Sequence, residues 1–179
     1  MIQERLDKVL KLMEEKKLPQ MIISDPSSIF YLTGKWILPG ERMLALYINL
    51  KDGNRLFVNE LFPINEDLGI DIVYYNDIQE PVEILSKYVE KDKPMGIDKN
   101  WPSHFLIELM KLKAGSAFVN ASKIVDKVRM CKDEKEKQLM RSSSKLNDIA
   151  MDRMIKLIPK KYSEKKMGKI LSDIWEELG

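Results

Sequence analysis

The chain has 179 residues, of which 44% are hydrophobic and 32% charged, and its formal net charge is +2. That is an ordinary globular composition, long enough to bury a core without disulfides or metals. A single cysteine, Cys131, excludes an intrachain disulfide, and no apolar run approaches the roughly 20 residues of a membrane span.

The first residues, "MIQERLDKVLKLMEEKK", carry apolar side chains at Ile2, Leu6, Val9, Leu10 and Met13. This spacing predicts an amphipathic helix over Ile2–Lys17. The stretch has no apolar signal core and no small-residue cleavage site, so a cytoplasmic protein is expected. After Pro19, "MIIS" (Met21–Ser24) reads as a buried strand. A short helix follows, with Asp25 as N-cap, Pro26 in the first helical position and Gly34 as a left-handed stop.

"MLALYINLKDGNRLFVNE" predicts a hairpin, with strands at Met43–Leu50 and Arg55–Asn59 and a type I′ turn at Asp52-Gly53. "DIVYY" (Asp71–Tyr75) is a further strand, Pro81–Glu90 a helix, and Met95–Asp98 a strand. Pro102–Leu112 follows as a helix and Ala117–Asn120 as a strand. The alternation predicts an α/β layered domain with a mixed β-sheet flanked by helices, because the hairpin imposes an antiparallel pair.

Beyond Asn120 the pattern changes. Asp133-x-x-Glu136 has the form of a capping box. Leu139, Leu146, Ile149, Ala150, Met154 and Leu157 then share one face of a long helix that ends before Pro159. Ser163 caps a second helix with the stripe Met167, Ile170, Leu171, Ile174, Trp175 and Leu178. This helical hairpin cannot cover its own apolar surface, so the chain is expected to be cut short of a partner element. The expected domains are residues 1–125 and 126–179.

Candidate chemistry is sparse. His104 is the lone histidine, which leaves a nucleophile without a base and an orienting partner. Cys131 lies among Arg129, Lys132 and Lys135 but has no thiol or histidine partner. No Gly-rich phosphate loop and no metal-ligand spacing is present. From Ser122 to Lys169 there are 15 Lys/Arg against 7 Asp/Glu, a net charge of +8. These basic residues alternate with acids and few aromatics interleave them, so a solvated, ion-paired face is expected rather than a nucleic-acid surface. "YLTGKWILPGERM" (Tyr31–Met43) is the one segment suited to a ligand. Arg42 can grip a carboxylate while Trp36 and Tyr31 form an apolar wall. The other reading has Trp36 filling a cluster under the loop and Arg42 as a surface charge.

The order of elements resembles the N-terminal domain of the creatinase/prolidase/Xaa-Pro aminopeptidase superfamily. The resemblance rests on "FYLTG" (Phe30–Gly34), the hairpin Arg42–Val58, "GID" (Gly96–Asp98), "VRMCKDEKEKQLMRSSSKLNDIAMDRMI" (Val128–Ile155) and "IPKKYSEKKM" (Ile158–Met167). In the last segment Lys160 or Lys161 stands where the family usually has glycine. The resemblance implies the non-catalytic N-terminal part of a cytoplasmic Xaa-Pro metallopeptidase, with its own catalytic domain and a second subunit as partners. It would contribute dimerisation and substrate-pocket gating. Proline-containing peptides would be the substrates, Arg42 would hold a substrate carboxylate, and Trp36 and Tyr31 would line the pocket. Two divalent metal ions are implied for the complete protein, held by residues of a pita-bread domain that have no match here, so no catalytic residue and no metal ligand is expected in this chain. The alternatives are a standalone interaction module, or the N-terminal part of a creatinase-like amidinohydrolase. Neither nucleic acid nor membrane is an expected partner.

Overall fold

The structure is a computed structural model and describes residues 1–51 and 53–179. Two compact units divide it, Met1–Met130 and Cys131–Gly179.

The first unit is built on a six-stranded sheet: β1 (Gln20–Ile23), β2 (Ala45–Asn49), β3 (Arg55–Asn59), β4 (Asp71–Tyr75), β5 (Met95–Ile97) and β6 (Phe118–Asn120), in spatial order β4-β3-β2-β1-β5-β6. The pair β2–β3 is antiparallel, as the hairpin requires, and so is β1–β2, whereas β3–β4, β1–β5 and β5–β6 are parallel. The mixed α/β sheet expected from the alternation is therefore present. The predicted turn falls on Asp52, which lies outside the described residues.

Alternation along the strands sorts two cores. Met21 and Ile23, Leu46 and Ile48, and Leu56 and Val58 face one side, with α1 (Gln3–Glu15), α2 (Pro26–Thr33) and α5 (Ser122–Met130) packed on it. Ile22, Ala45, Tyr47, Phe57, Met95 and Ile97 face the other, under α3 (Pro81–Leu85) and α4 (Ser103–Lys111). Central strands β1 and β2 are buried at every position, so they read as continuous apolar runs rather than as half-exposed strands.

The signals around α2 act as expected. The Asp25 carboxylate accepts from the Ser28 N–H at 2.9 Å, and Gly34 closes the helix at φ 78°, where a side chain would be strained. The helix expected over Pro81–Glu90 stops at Leu85. Lys87 and Tyr88 bond back three residues to Ile84 and Leu85, which tightens the last turn. Residue 90 is then claimed from elsewhere: the buried amide of Gln20 donates to the Glu90 carbonyl at 2.7 Å and accepts from the Glu90 N–H at 2.9 Å.

Helix α5 was not expected. Ile124, Val125 and Val128 are buried and pack on the α1 side of the sheet.

The second unit is a helical hairpin. The Asp133–Glu136 capping box opens α6 (Glu134–Ile155) and Ser163 caps α7 (Glu164–Leu178). Ala150, Met154 and Ile174 are its buried core, and Leu157, Met167, Ile170, Leu171 and Leu178 pack against them. Leu139, Met140, Ile149 and Trp175 remain exposed. Between the helices, Lys161 takes φ 50°. This is the left-handed conformation that a glycine adopts without steric cost, and it explains why the related pattern favours glycine in this turn.

Candidate functional site

The chain leaves β1 and β5, parallel neighbours in the sheet, at the same end. Asp98 follows β5 and ties this end together. Its carboxylate accepts from the Ser24 N–H at 2.7 Å, the Ser24 hydroxyl at 2.6 Å and the Asp25 N–H at 2.9 Å. Two backbone donors freed by the end of β1 are thus satisfied by a side chain from the adjacent strand. Asp25 is held in turn: its carboxylate accepts from the Ser28 hydroxyl at 2.7 Å, from the Asn100 amide at 3.1 Å and from Arg129 Nη1 at 3.1 Å.

Burial alone would raise the Asp25 pKa, but the hydrogen bonds from Ser28, that from Asn100 and the charge of Arg129 outweigh it and hold the carboxyl below the usual range. A carboxyl more acidic in the folded than in the unfolded chain contributes stability above its unfolded pKa and loses it as pH falls. Asp25→Asn is therefore expected to reduce the loss of stability between about pH 6 and about pH 3, measured by urea titration at each pH. An acid limb as steep as that of the unchanged chain refutes this assignment.

Above the strand ends lies an open cleft of about 410 Å³, lined by Ser24, Pro26, Leu38, Pro39, Gly40, Arg42, Leu44, Asn100, Trp101, Pro102 and Phe105. Its rim comes from the loop that follows α2, and its opposite wall from the segment between β5 and α4. Arg42 belongs to the lining; Trp36 and Tyr31 do not. Arg42 pairs side-on with Asp77, Nε donating to Oδ1 at 2.8 Å and Nη2 to Oδ2 at 2.6 Å. Asn59 donates a further hydrogen bond to Asp77 Oδ1 at 2.8 Å. The bond from Arg42 is the main reason the Asp77 carboxyl sits below its ordinary range, and the same bond raises the Arg42 pKa. Next along the chain, the Met43 carbonyl accepts from the Tyr75 hydroxyl at 2.7 Å. Burial, ahead of smaller opposing effects, pushes that phenol up to about 12, so it stays a donor throughout the ordinary pH range.

Trp36 is 51% exposed and meets Phe30 edge-on at 5.8 Å between ring centroids. Tyr31 is buried, with the Arg5 guanidinium 4.1 Å over its ring. The three residues singled out in the loop thus take three settings: Arg42 in the cleft, Trp36 on the surface and Tyr31 in the core. Residues that the sequence reading passed over, Trp101, Phe105 and Asn100, form the opposite wall. The signal available for them was "NWPS" (Asn100–Ser103), a tryptophan directly before a helix that opens after proline and carries Phe105 in its first turn.

His104 is exposed, and its ring centroid lies 3.9 Å from that of Phe105 with the planes tilted by 48°. Cys131 is exposed. Among the described residues, no group of three or more His, Cys, Asp or Glu is placed to hold a metal ion, so the residues present do not fit the two divalent ions implied by the family resemblance. No described helix is long and apolar enough to cross a membrane.

A mixed sheet covered by helices on both faces, with an open cleft at its strand ends, defines a layered α/β domain. Residues 5–131 match the Creatinase/Prolidase N-terminal domain model, and the chain belongs to that family. It is similar to the putative dipeptidase YkvY of Bacillus subtilis, with 26% identity over 157 residues, covering 83% of this chain and 43% of that protein. It is also similar to the Xaa-Pro dipeptidase of Pyrococcus horikoshii, with 22% identity over 167 residues, covering 92% of this chain and 45% of the relative. The chain thus spans less than half the length of these curated relatives. Among solved structures, the recombinant prolidase of Thermococcus sibiricus superposes with a TM-score of 0.87 at 17% identity, covering 97% of this chain and 49% of the other. The Creatinase/Prolidase N-terminal domain of a Streptococcus pyogenes X-Pro dipeptidase gives 0.60 at 24% identity, covering 69% of this chain and 97% of that domain.

Proposed function

We propose that this chain is the N-terminal, non-catalytic part of a cytoplasmic Xaa-Pro metallopeptidase, and that it contributes dimerisation and gating of the substrate pocket. In this reading residues 1–125 form the α/β domain and 126–179 the linker and first helices of the catalytic domain. The remainder of the protein would hold the two divalent ions and perform hydrolysis of proline-containing peptides.

The observation that carries the reading is the family match across residues 5–131, joined to relatives named Xaa-Pro dipeptidase that run to about twice the matched length. The loop geometry supports a part in substrate selection. Arg42 spends one edge of its guanidinium on Asp77, and the group has five N–H donors in a planar fork, so a second edge remains for a substrate carboxylate. Trp36, six positions earlier in the same loop, offers an exposed aromatic face. Tyr31 lies at the base of the same loop, where Arg5 covers its ring.

In the protein carrying its catalytic part, Arg42→Ala is expected to raise KM about tenfold for substrates with a free carboxylate and to change it little for the amidated forms, since one charge-assisted bidentate contact is worth about this much. Steady-state kinetics on both substrate series check it. Equal effects on the two end the carboxylate assignment.

A further inference from the structure

Strand β6 is one edge of the sheet, and its outer side is open. The Met95 N–H donates to the Ala117 carbonyl and the Ala121 N–H to the Ile97 carbonyl, both at 2.8 Å. Main-chain groups alternate sides along a strand, so residues 117, 119 and 121 turn theirs toward β5. Those of Phe118 and Asn120 turn outward, each with an N–H and a C=O, and have no partner strand. The Asn120 side chain is engaged elsewhere. Its Oδ1 accepts from the Ser122 N–H at 3.0 Å and the Ser122 hydroxyl at 2.6 Å, which holds it at the start of α5.

Beside this edge lies an open hollow of about 500 Å³, between the end of α1 and the start of α5. It shares no residue with the cleft that holds Arg42. Leu18, Val119 and Ile124 give it an apolar floor. Phe118 packs with the α3–α4 core while Ala121 lies in the opposite one, so alternation puts Val119 on the α1–α5 face, where it is 41% exposed. The exposed Lys16 and Lys123 also line the hollow, against one acid, Glu15. Neither lysine forms an ion pair among the described residues.

We propose that the β6 edge takes up an extended peptide segment of another protein, paired as an added strand, and that this segment is acidic on the side facing the hollow. An open edge offers main-chain hydrogen bonds to any extended chain, and alternate side chains then carry the selectivity. Every second side chain of the added strand faces Val119, Lys16 and Lys123, which suits an apolar residue flanked by carboxylates. The two lysines also decide against pairing of β6 with its own copy. Such a contact is isologous and would bring like charges together, and lysines beside a short edge strand are a common guard against it. The site involves neither Arg42 nor peptide hydrolysis.

The probe is the peptide acetyl-Thr-Glu-Thr-Val-Thr-Glu-Thr-amide, titrated into the ¹⁵N-labelled 179-residue chain and followed by ¹⁵N–¹H spectra. The amides of residues 118–121 are expected to shift saturably. A peptide with Lys in place of both Glu should bind about tenfold more weakly, as two exposed charge contacts allow. Lys16→Glu combined with Lys123→Glu should reverse that order. Both side chains are exposed, so the fold is retained. N-methylation of the central Val, and separately of the two Thr beside it, should abolish binding in one case and spare it in the other, since only alternate residues turn an N–H toward β6. The proposal is overturned if no saturable shift appears at residues 118–121 by about 5 mM peptide, if the Glu and Lys peptides bind equally, or if the two methylated peptides behave alike. Shifts of the same amides on concentrating the chain without peptide would make the occupant a second copy and overturn it as well.

Discussion

Asp98→Ala lowers the stability of the α/β unit by about 3 kcal/mol, because it leaves two backbone donors and a hydroxyl without their acceptor. Ser24 is buried, and the N–H groups of Ser24 and Asp25 both bond to Asp98 Oδ2. No strand lies beyond this point to take them. Water reaches them poorly, so each lost bond costs close to the full desolvation of a donor. Asp98→Asn keeps one acceptor oxygen but turns an amide NH₂ toward one set of donors, and should cost about half as much. Urea titration checks both, and the midpoint should fall while the slope holds. A midpoint unchanged in Asp98→Ala would mean that the end of β1 has another way to satisfy its donors.

Gly96→Ala is expected to be at least as damaging, for a steric reason. A Cβ at residue 96 would lie 2.7 Å from Ala121 Cβ, 2.7 Å from Leu18 Cδ2 and 2.9 Å from Met21 Cβ. Two of these atoms are themselves Cβ atoms, which move only if the backbone moves. Relief therefore requires β5 to separate from the α5 side of the core, at about 3 kcal/mol, the upper end of ordinary overpacking. For a unit of this size the midpoint of thermal unfolding should drop by about 10 °C. Gly168→Ala is the matching control. It adds the same methyl group inside α7, where nothing lies within 4 Å, and should raise helix stability by about 0.5–1 kcal/mol. If the two variants changed the melting temperature alike, the close approach at Gly96 would not be what shapes the sheet there.

These two residues show how far the sequence could be read. "GID" stood out as a strand ending in Gly-Ile-Asp, but its two functions lie in tertiary contacts. The residues that crowd Gly96 are 18, 21 and 121, and those that need Asp98 are 24 and 25. The short helix α2 was legible because its cap, its proline and its terminal glycine act within about two turns of chain. The hairpin strands were legible because β-rich runs flank one turn. Helix α5 was not, since nine residues carrying three basic side chains show only a brief apolar repeat, and their burial depends on α1, more than a hundred positions earlier. The cleft divides in the same way. Arg42 drew attention by residue type and by its Gly- and Pro-rich surroundings, but its partner Asp77 lies 35 positions away. Trp101 and Phe105 reach the opposite wall only once β5 is paired beside β1.

Arg129, one residue from the end of the first unit, reaches back to the Asp25 carboxylate and the Ser28 hydroxyl. The same carboxylate receives Asn100, which lines the cleft. The end of α5 and the cleft wall thus meet at a single carboxylate, that of Asp25. Removing that one carboxylate would therefore take a partner from Asn100 and from Arg129 at once.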